Sequence, residues 1–224
     1  MLINTKKKLA VFDVDDTFYS LQGTIHRALT AETGKDIHPS KWHSFMLNEV
    51  YGVTNEEVFA AFHKHEILIG GVVDHSIKDL LKHFKDEGYT TLALTSRGWH
   101  NQGEMLTHQM LDANNIKFDH VQVVTHGQSK GGVLKEQWSD RFKVDFFIDD
   151  YEKNIHGVAS AIEGNPLIVV KNQPWNKINV FDENKFKRVD ELSEVIQLYH
   201  NHHDLKFEVQ EPLKIKTNKK IKPR

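Results

Sequence analysis

Three carboxylates crowd into the five residues Asp13-Val14-Asp15-Asp16-Thr17, directly after the apolar run Leu9-Ala10-Val11-Phe12. Two acids spaced two residues apart at the end of a strand can divide the work of group transfer, Asp13 as nucleophile and Asp15 as general acid and then base. A second pair, Asp149-Asp150, follows Asp145-Phe146-Phe147-Ile148. Brought to one place, these acids repel one another unless a cation lies among them. Oxygen donors without His or Cys suit Mg2+ better than Zn2+. A magnesium ion held by few carboxylates and several waters typically carries a substrate phosphate as well. Hydroxyls of Thr95 or Ser96, in Thr95-Ser96-Arg97-Gly98, could bind phosphoryl oxygens, and Lys130, in Gln128-Ser129-Lys130-Gly131-Gly132, could offset developing negative charge. Arg97 could contact substrate or cap neighbouring carbonyls. Each piece alone has a plainer reading: Asp is common in turns, Asp149-Asp150 could cap the next helix, and Lys130 could be a surface lysine.

The elements that would position these residues are legible as short apolar runs. Leu9–Phe12, Thr91–Leu94, His120–Val124, Asp145–Ile148 and Leu167–Val170 each have the length and β-rich composition of a strand buried on both faces. Between them lie helical patterns: Ile77, Leu80, Leu81 and Phe84 before a stop at Gly88, then Met105–Leu111, Val133–Trp138 and Ile155–Ile162. Alternating strands and helices predict right-handed βαβ units and an α/β fold, a doubly wound parallel sheet. Ligands of such sheets bind outside the carboxyl ends of the strands, where the candidate residues fall. Residues 21–74 break the alternation with amphipathic helical text such as Ile25–Leu29 and Val58–Phe62, and no strand is read there. They are expected to form a small helical insert, with residues 1–20 and 75–200 as the catalytic core and 201–224 as a C-terminal extension.

At 224 residues, with 39% hydrophobic and 27% charged residues, the chain suits one sizeable core plus a modest insert. The formal net charge of -2 gives no global attraction to nucleic acid or to anionic membranes, so no membrane partner is expected. One local exception is the acid-free segment Leu213–Arg224, LKIKTNKKIKPR, which could contact nucleic acid and is expected to be a flexible basic tail. The absence of cysteine excludes disulfides, thiolate metal sites and a cysteine nucleophile. No targeting segment is read in MLINTKKKLAVFDVDD, and a cytoplasmic location is the default expectation. His63 with His65, and His202 with His203, lack a third ligand at suitable spacing and are read as surface residues. Trp42, Phe45 and Phe62 are expected to form the insert's own small core, although one of them could reach the mouth of the site.

The pattern FDVDDT (12–17), ALTSRG (93–98), Lys130 and FFIDD (146–150) resembles, in order, the four motifs of the haloacid dehalogenase-like hydrolase superfamily. The resemblance extends from about Lys8 to Tyr199. It implies a nucleophilic Asp13, an Asp15 that serves as general acid/base and as metal ligand through its backbone carbonyl, and a Thr95 hydroxyl on the phosphate. It also implies a Lys130 that steadies nucleophile and phosphate, and Mg2+ held by Asp149 and Asp150; the candidate substrate-binding residues are Thr95, Ser96, Arg97 and Thr17. The second acid, Asp15, implies phosphatase activity rather than carbon–halogen cleavage. The closing VVKNQPWNK (169–177) resembles deoxyribonucleotidase-type and phage-type members, and the insert resembles the superfamily's small helical cap. The implied activity is Mg2+-dependent hydrolysis of a phosphomonoester through an aspartyl-phosphate, on a nucleotide or another small phosphorylated metabolite. The alternatives are a nucleic-acid end-processing phosphatase and a non-catalytic binding protein of the same fold.

Overall fold

The structure is a computed structural model that describes residues 6–210 apart from 126, 178 and 180, with backbone alone for 203–210. The basic segment Leu213–Arg224 and the side chain of His203 therefore lie outside the described residues. Six strands form one sheet: β1 (Lys7–Phe12), β4 (Thr90–Gly98), β5 (His120–Thr125), β6 (Phe142–Asp149), β7 (Leu167–Lys171) and β8 (Phe186–Val189). Their order is β5-β4-β1-β6-β7-β8, and every neighbouring pair is parallel. The expected α/β doubly wound sheet is thus observed.

Strand β1 shows why the apolar runs become central strands. Leu9, Ala10, Val11 and Phe12 are all fully buried, and successive side chains point to opposite faces. Ala10 and Phe12 join one hydrophobic cluster with Leu80, Phe84 and Phe146, while Leu9 and Val11 join the other with Leu134, Phe147 and Val158. Helices α4 (Ile77–Asp86), α5 (Gly103–Ala113) and α8 (Glu194–Gln210) contribute Leu80, Leu111 and Val195 to the first cluster; α6 (Lys130–Val133) and α7 (Glu152–Ala161) contribute Val133 and Ile155 to the second. No described helix is long and apolar enough to cross a membrane.

Between β1 and α4 the chain forms β2 (Tyr19–Ser20), α1 (Gln22–Thr33), α2 (Leu47–Tyr51), α3 (Asn55–Lys64) and β3 (Val72–Val73). The stretch read as free of strands therefore ends in one: β2 and β3 pair antiparallel at Tyr19↔Val73 and Ser20↔Val72. Two residues per strand are too few to leave a periodic signal. Helix α3 opens with a capping box, Thr54 Oγ1 accepting from Glu57 N and Glu57 Oε2 from Thr54 N.

Three further readings need correction. Strand β8 escaped notice because Phe186-Lys187-Arg188-Val189 has no continuous apolar run: it is an edge strand with half-buried Lys187 and Arg188. Helix α8 runs through residue 200, so no break separates the core from a C-terminal extension there. Finally, Trp42, Phe45 and Phe62 do not form a core private to the insert. Trp42 stacks on Trp175, Phe45 on Tyr151, and Phe62 tilts against Trp99, so all three meet aromatic partners outside residues 21–74.

Candidate active site

The carboxyl ends of β1, β4 and β6 converge, and the residues just beyond them build the site. Asp13 N donates to Ile148 O at 2.9 Å, continuing the β1/β6 ladder one residue past the strand. The chain then turns sharply, with Val14 O accepting from Thr17, Phe18 and Tyr19. Asp16 holds the turn in the left-handed region, at φ 55°, a conformation Asp tolerates better than most residues. Its Oδ1 accepts from Leu21 N at 3.0 Å and Ser20 Oγ at 3.3 Å, so Asp16 serves the entry into α1.

Asp13 is almost wholly buried. Its Oδ1 accepts from Lys130 Nζ and its Oδ2 from Thr17 Oγ1 at 2.9 Å. Lys130 reaches this point from the start of α6, whose cap is Ser129 Oγ accepting from Gly132 N at 3.1 Å. The same ammonium donates to Asp149 Oδ2 at 2.7 Å, so a buried cation bridges the ends of β1 and β6. Asp149 is saturated: Tyr151 N donates to Oδ1 at 2.8 Å, and Asn154 Nδ2 lies 3.2 and 3.1 Å from its two oxygens. Asp150 is engaged at one oxygen, with Trp175 Nε1 donating to Oδ2 at 3.0 Å, and it lines the adjoining cavity.

Charge does not balance here. Three buried carboxylates, Asp13, Asp149 and Asp150, each offer an oxygen within 4.8 Å of the others, and among the described residues Lys130 alone brings a positive charge into contact with them. Burial, only partly offset by Lys130 and reinforced by Asp149 and Asp15, pushes Asp13 up to about 7. Asp150 is driven well above the ordinary carboxylate range by burial and then by Asp149 and Asp13. Asp16 is raised to about 7 by burial and by Asp15. For Lys130, burial alone would favour the neutral amine, but Asp13 and Asp149 outweigh it and hold the ammonium. A buried all-oxygen donor set with surplus negative charge fits a hard divalent cation such as Mg2+.

Asp15 faces a different partner. Strand β4 runs four residues past the apolar run to Gly98, so Thr95 and Arg97 share one face of it and Ser96 takes the other. Thr95 Oγ1 donates to Asp15 Oδ2 at 3.3 Å; Arg97 Nε lies 2.9 and 3.1 Å from the two Asp15 oxygens and Nη2 2.6 Å from Oδ1. Of the four substrate-facing candidates, only Ser96 lines the cavity. Thr17, Thr95 and Arg97 are buried and turned instead to the carboxylates of Asp13 and Asp15. Among the described residues, the Arg97 side chain donates to Asp15 and Thr107 and to no backbone carbonyl, so the capping role is not seen there.

The acids floor a cavity of about 440 Å³ with apolar upper walls. Phe45 lies parallel to Tyr151, with ring centroids 3.8 Å apart, and Trp99 meets both Phe59 and Phe62. Tyr151, Asn154, Trp99 and Trp175 were not singled out as site residues. The only signals were the position of Tyr151 directly after the double acid and the QPWN stretch that contains Trp175. The histidines of interest lie elsewhere: His65 pairs with Glu32 at 2.7 Å, and His63 stacks on His100.

The sheet order and the convergence of these acids define a class, and the chain has the haloacid dehalogenase-like fold. A haloacid dehalogenase-like hydrolase from Xanthomonas campestris superposes with a TM-score of 0.59 over 92% of this chain and 100% of its own, at 12% identity. A hydrolase of the same family from Streptococcus pneumoniae superposes with a TM-score of 0.61 over 87% and 98%, again at 12% identity. Among curated proteins, the chain is 25% identical over 195 residues to one described as "Putative nucleotidase YqfW" from Bacillus subtilis, spanning 85% of this chain and 94% of that one. No family model matches the chain.

Proposed function

We propose that this protein is a Mg2+-dependent phosphomonoester hydrolase that passes through an aspartyl-phosphate and acts on a nucleotide or another small phosphorylated metabolite. One observation carries the reading: a buried nucleophile candidate, Asp13, sits beside a fixed ammonium and two further acids at the floor of an aromatic-walled cavity. Asp13, Asp149 and Asp150 would hold Mg2+, with Asp150 the better direct ligand because the oxygens of Asp149 are already committed to Lys130, Tyr151 and Asn154. The ion would neutralise phosphate charge that otherwise repels the attacking carboxylate.

In the first half-reaction an Asp13 oxygen attacks phosphorus, the ester P–O bond breaks, and Asp15 gives its proton to the departing oxygen. In the second, Asp15 takes a proton from water, the water oxygen attacks the same phosphorus, and the Asp13–phosphorus bond breaks to release inorganic phosphate. Lys130 and Thr17 hold Asp13 in place, and Ser96 is the hydroxyl presented to the phosphate. The aromatic side chains that line the cavity, among them Phe45, Phe59, Trp99 and Tyr151, favour a planar leaving group such as a nucleobase, in keeping with the nucleotidase description of the Bacillus relative.

The test is phosphate release from nucleoside monophosphates, sugar phosphates and 3′-phosphorylated oligonucleotides, with Mg2+ or chelator, for wild type and Asp13→Asn. Mg2+-dependent release abolished by the substitution is expected. Release that survives Asp13→Asn would refute the covalent mechanism, preference for the oligonucleotide would favour end-processing, and no release at all would favour a binding protein.

A further inference from the structure

Arg97 is a buried charged group that the mechanism above leaves unused, and its surroundings assign it a task. Its side chain is fully buried and does not line the cavity, so it is not placed to meet substrate phosphate. Nε and Nη2 instead grip the Asp15 carboxylate from 2.6 to 3.1 Å, a planar two-point pairing that fixes the rotation of the carboxylate as well as its position. The guanidinium is itself immobilised. Nη1 donates to Thr107 Oγ1 at 3.2 Å, Thr107 is tied to Gly103 O at 2.6 Å, and the Tyr19 ring lies 5.3 Å from the guanidinium carbon. Gly103 also packs so closely on the Arg97 backbone that a Cβ would fall 2.2 Å from Arg97 O. Without Arg97, Asp15 would keep, among the described residues, the long bond from Thr95, and it would face repulsion from Asp13 and Asp16.

We propose that Arg97 is a positioning residue that aims the Asp15 carboxylate at the leaving-group oxygen in the first half-reaction and at the attacking water in the second. The proposal rests on the reading of Asp15 as the proton-transfer group. A general acid must lie within hydrogen-bond reach of the atom it serves, and a side chain free to swing away loses that geometry for most of the time. Lysine could restore the charge but not the two-point grip.

The experiment compares wild type, Arg97→Gln, Arg97→Lys and Thr107→Val on a nucleoside monophosphate and on p-nitrophenyl phosphate, whose leaving group departs without a proton. For Arg97→Gln, kcat/KM on the nucleotide is expected to fall about 10- to 100-fold with KM little changed. On p-nitrophenyl phosphate, kcat/KM should hold within about threefold, while slowed second-step hydrolysis produces a burst of p-nitrophenol. Arg97→Lys and Thr107→Val should show smaller losses of the same pattern, and they carry the comparison if Arg97→Gln does not fold. Equal losses on both substrates would reduce Arg97 to a structural role and overturn the proposal. A crystal structure of Arg97→Lys decides independently of turnover: Asp15 should shift or occupy two rotamers, and a carboxylate left unmoved would refute the assignment. Wild-type inactivity on every substrate would count against the hydrolase reading, and the crystallographic comparison would still decide the positioning.

Discussion

Lys130 is the residue on which the site's electrostatics turn, because its ammonium bridges Asp13 and Asp149. Replacing it with Met leaves both acids buried without their counter-charge, and removing one partner of a buried ion pair typically costs about 3–5 kcal/mol. Lys130→Met is expected to lose stability on that scale in urea unfolding with chelator present, together with phosphate release. The two neighbouring acids should separate in kind. Asp150→Asn is expected to weaken Mg2+ binding in calorimetric titration by more than about tenfold, since a direct ligand is lost. Asp149→Asn should first disturb the anchoring of Lys130, and a larger loss of Mg2+ affinity in Asp149→Asn would reverse the assignment. The acids and Lys130 were legible because few other arrangements explain their types in that order after apolar runs. The orientations of Thr95 and Arg97 were not legible, since they depend on how far β4 continues past Leu94, and Thr95-Ser96-Arg97 reads equally well as a loop.

At the scale of elements, delivery of Lys130 depends on how closely α6 approaches α7. A Cβ on Gly131 would fall 2.4 Å from Gly157 O and 3.1 Å from the Ala161 side chain, so a glycine is required by the packing of the two helices. Gly131→Ala is expected to cost about 1–3 kcal/mol, the usual range for overpacking, and to lower phosphate release as α6 shifts its first residue. Gly132→Ala meets only Ser129 Oγ, at 3.1 Å, and should be milder in both assays. Equal effects from the two substitutions would mean that the α6–α7 contact does not position the lysine. The βαβ alternation was readable because buried parallel strands and amphipathic helices each leave a periodic signal. The β2–β3 pair and the edge strand β8 leave almost none, so their presence is settled by neighbours distant in sequence.

For the whole molecule, the surplus of buried negative charge ties stability to metal and pH. Asp13 and Asp16 are raised to about 7 and Asp150 is raised as well, so the metal-free folded state binds protons more tightly than the unfolded chain. Their contribution is fully present below the ordinary carboxylate range and is lost as pH rises through about 7. Metal-free protein is therefore expected to melt at a lower temperature at pH 8 than at pH 6, and added Mg2+ should raise the melting temperature more at pH 8. A Mg2+ shift that is larger at pH 6 would contradict the charge surplus. The aromatic walls of the cavity have one more consequence. Of the chain's four tryptophans, Trp42, Trp99 and Trp175 line that cavity, and only Trp138 stands apart, beneath Arg141. The protein thus carries its own optical reporter: a ligand entering between those indoles alters their emission without any label, and Trp138 supplies the unresponsive background.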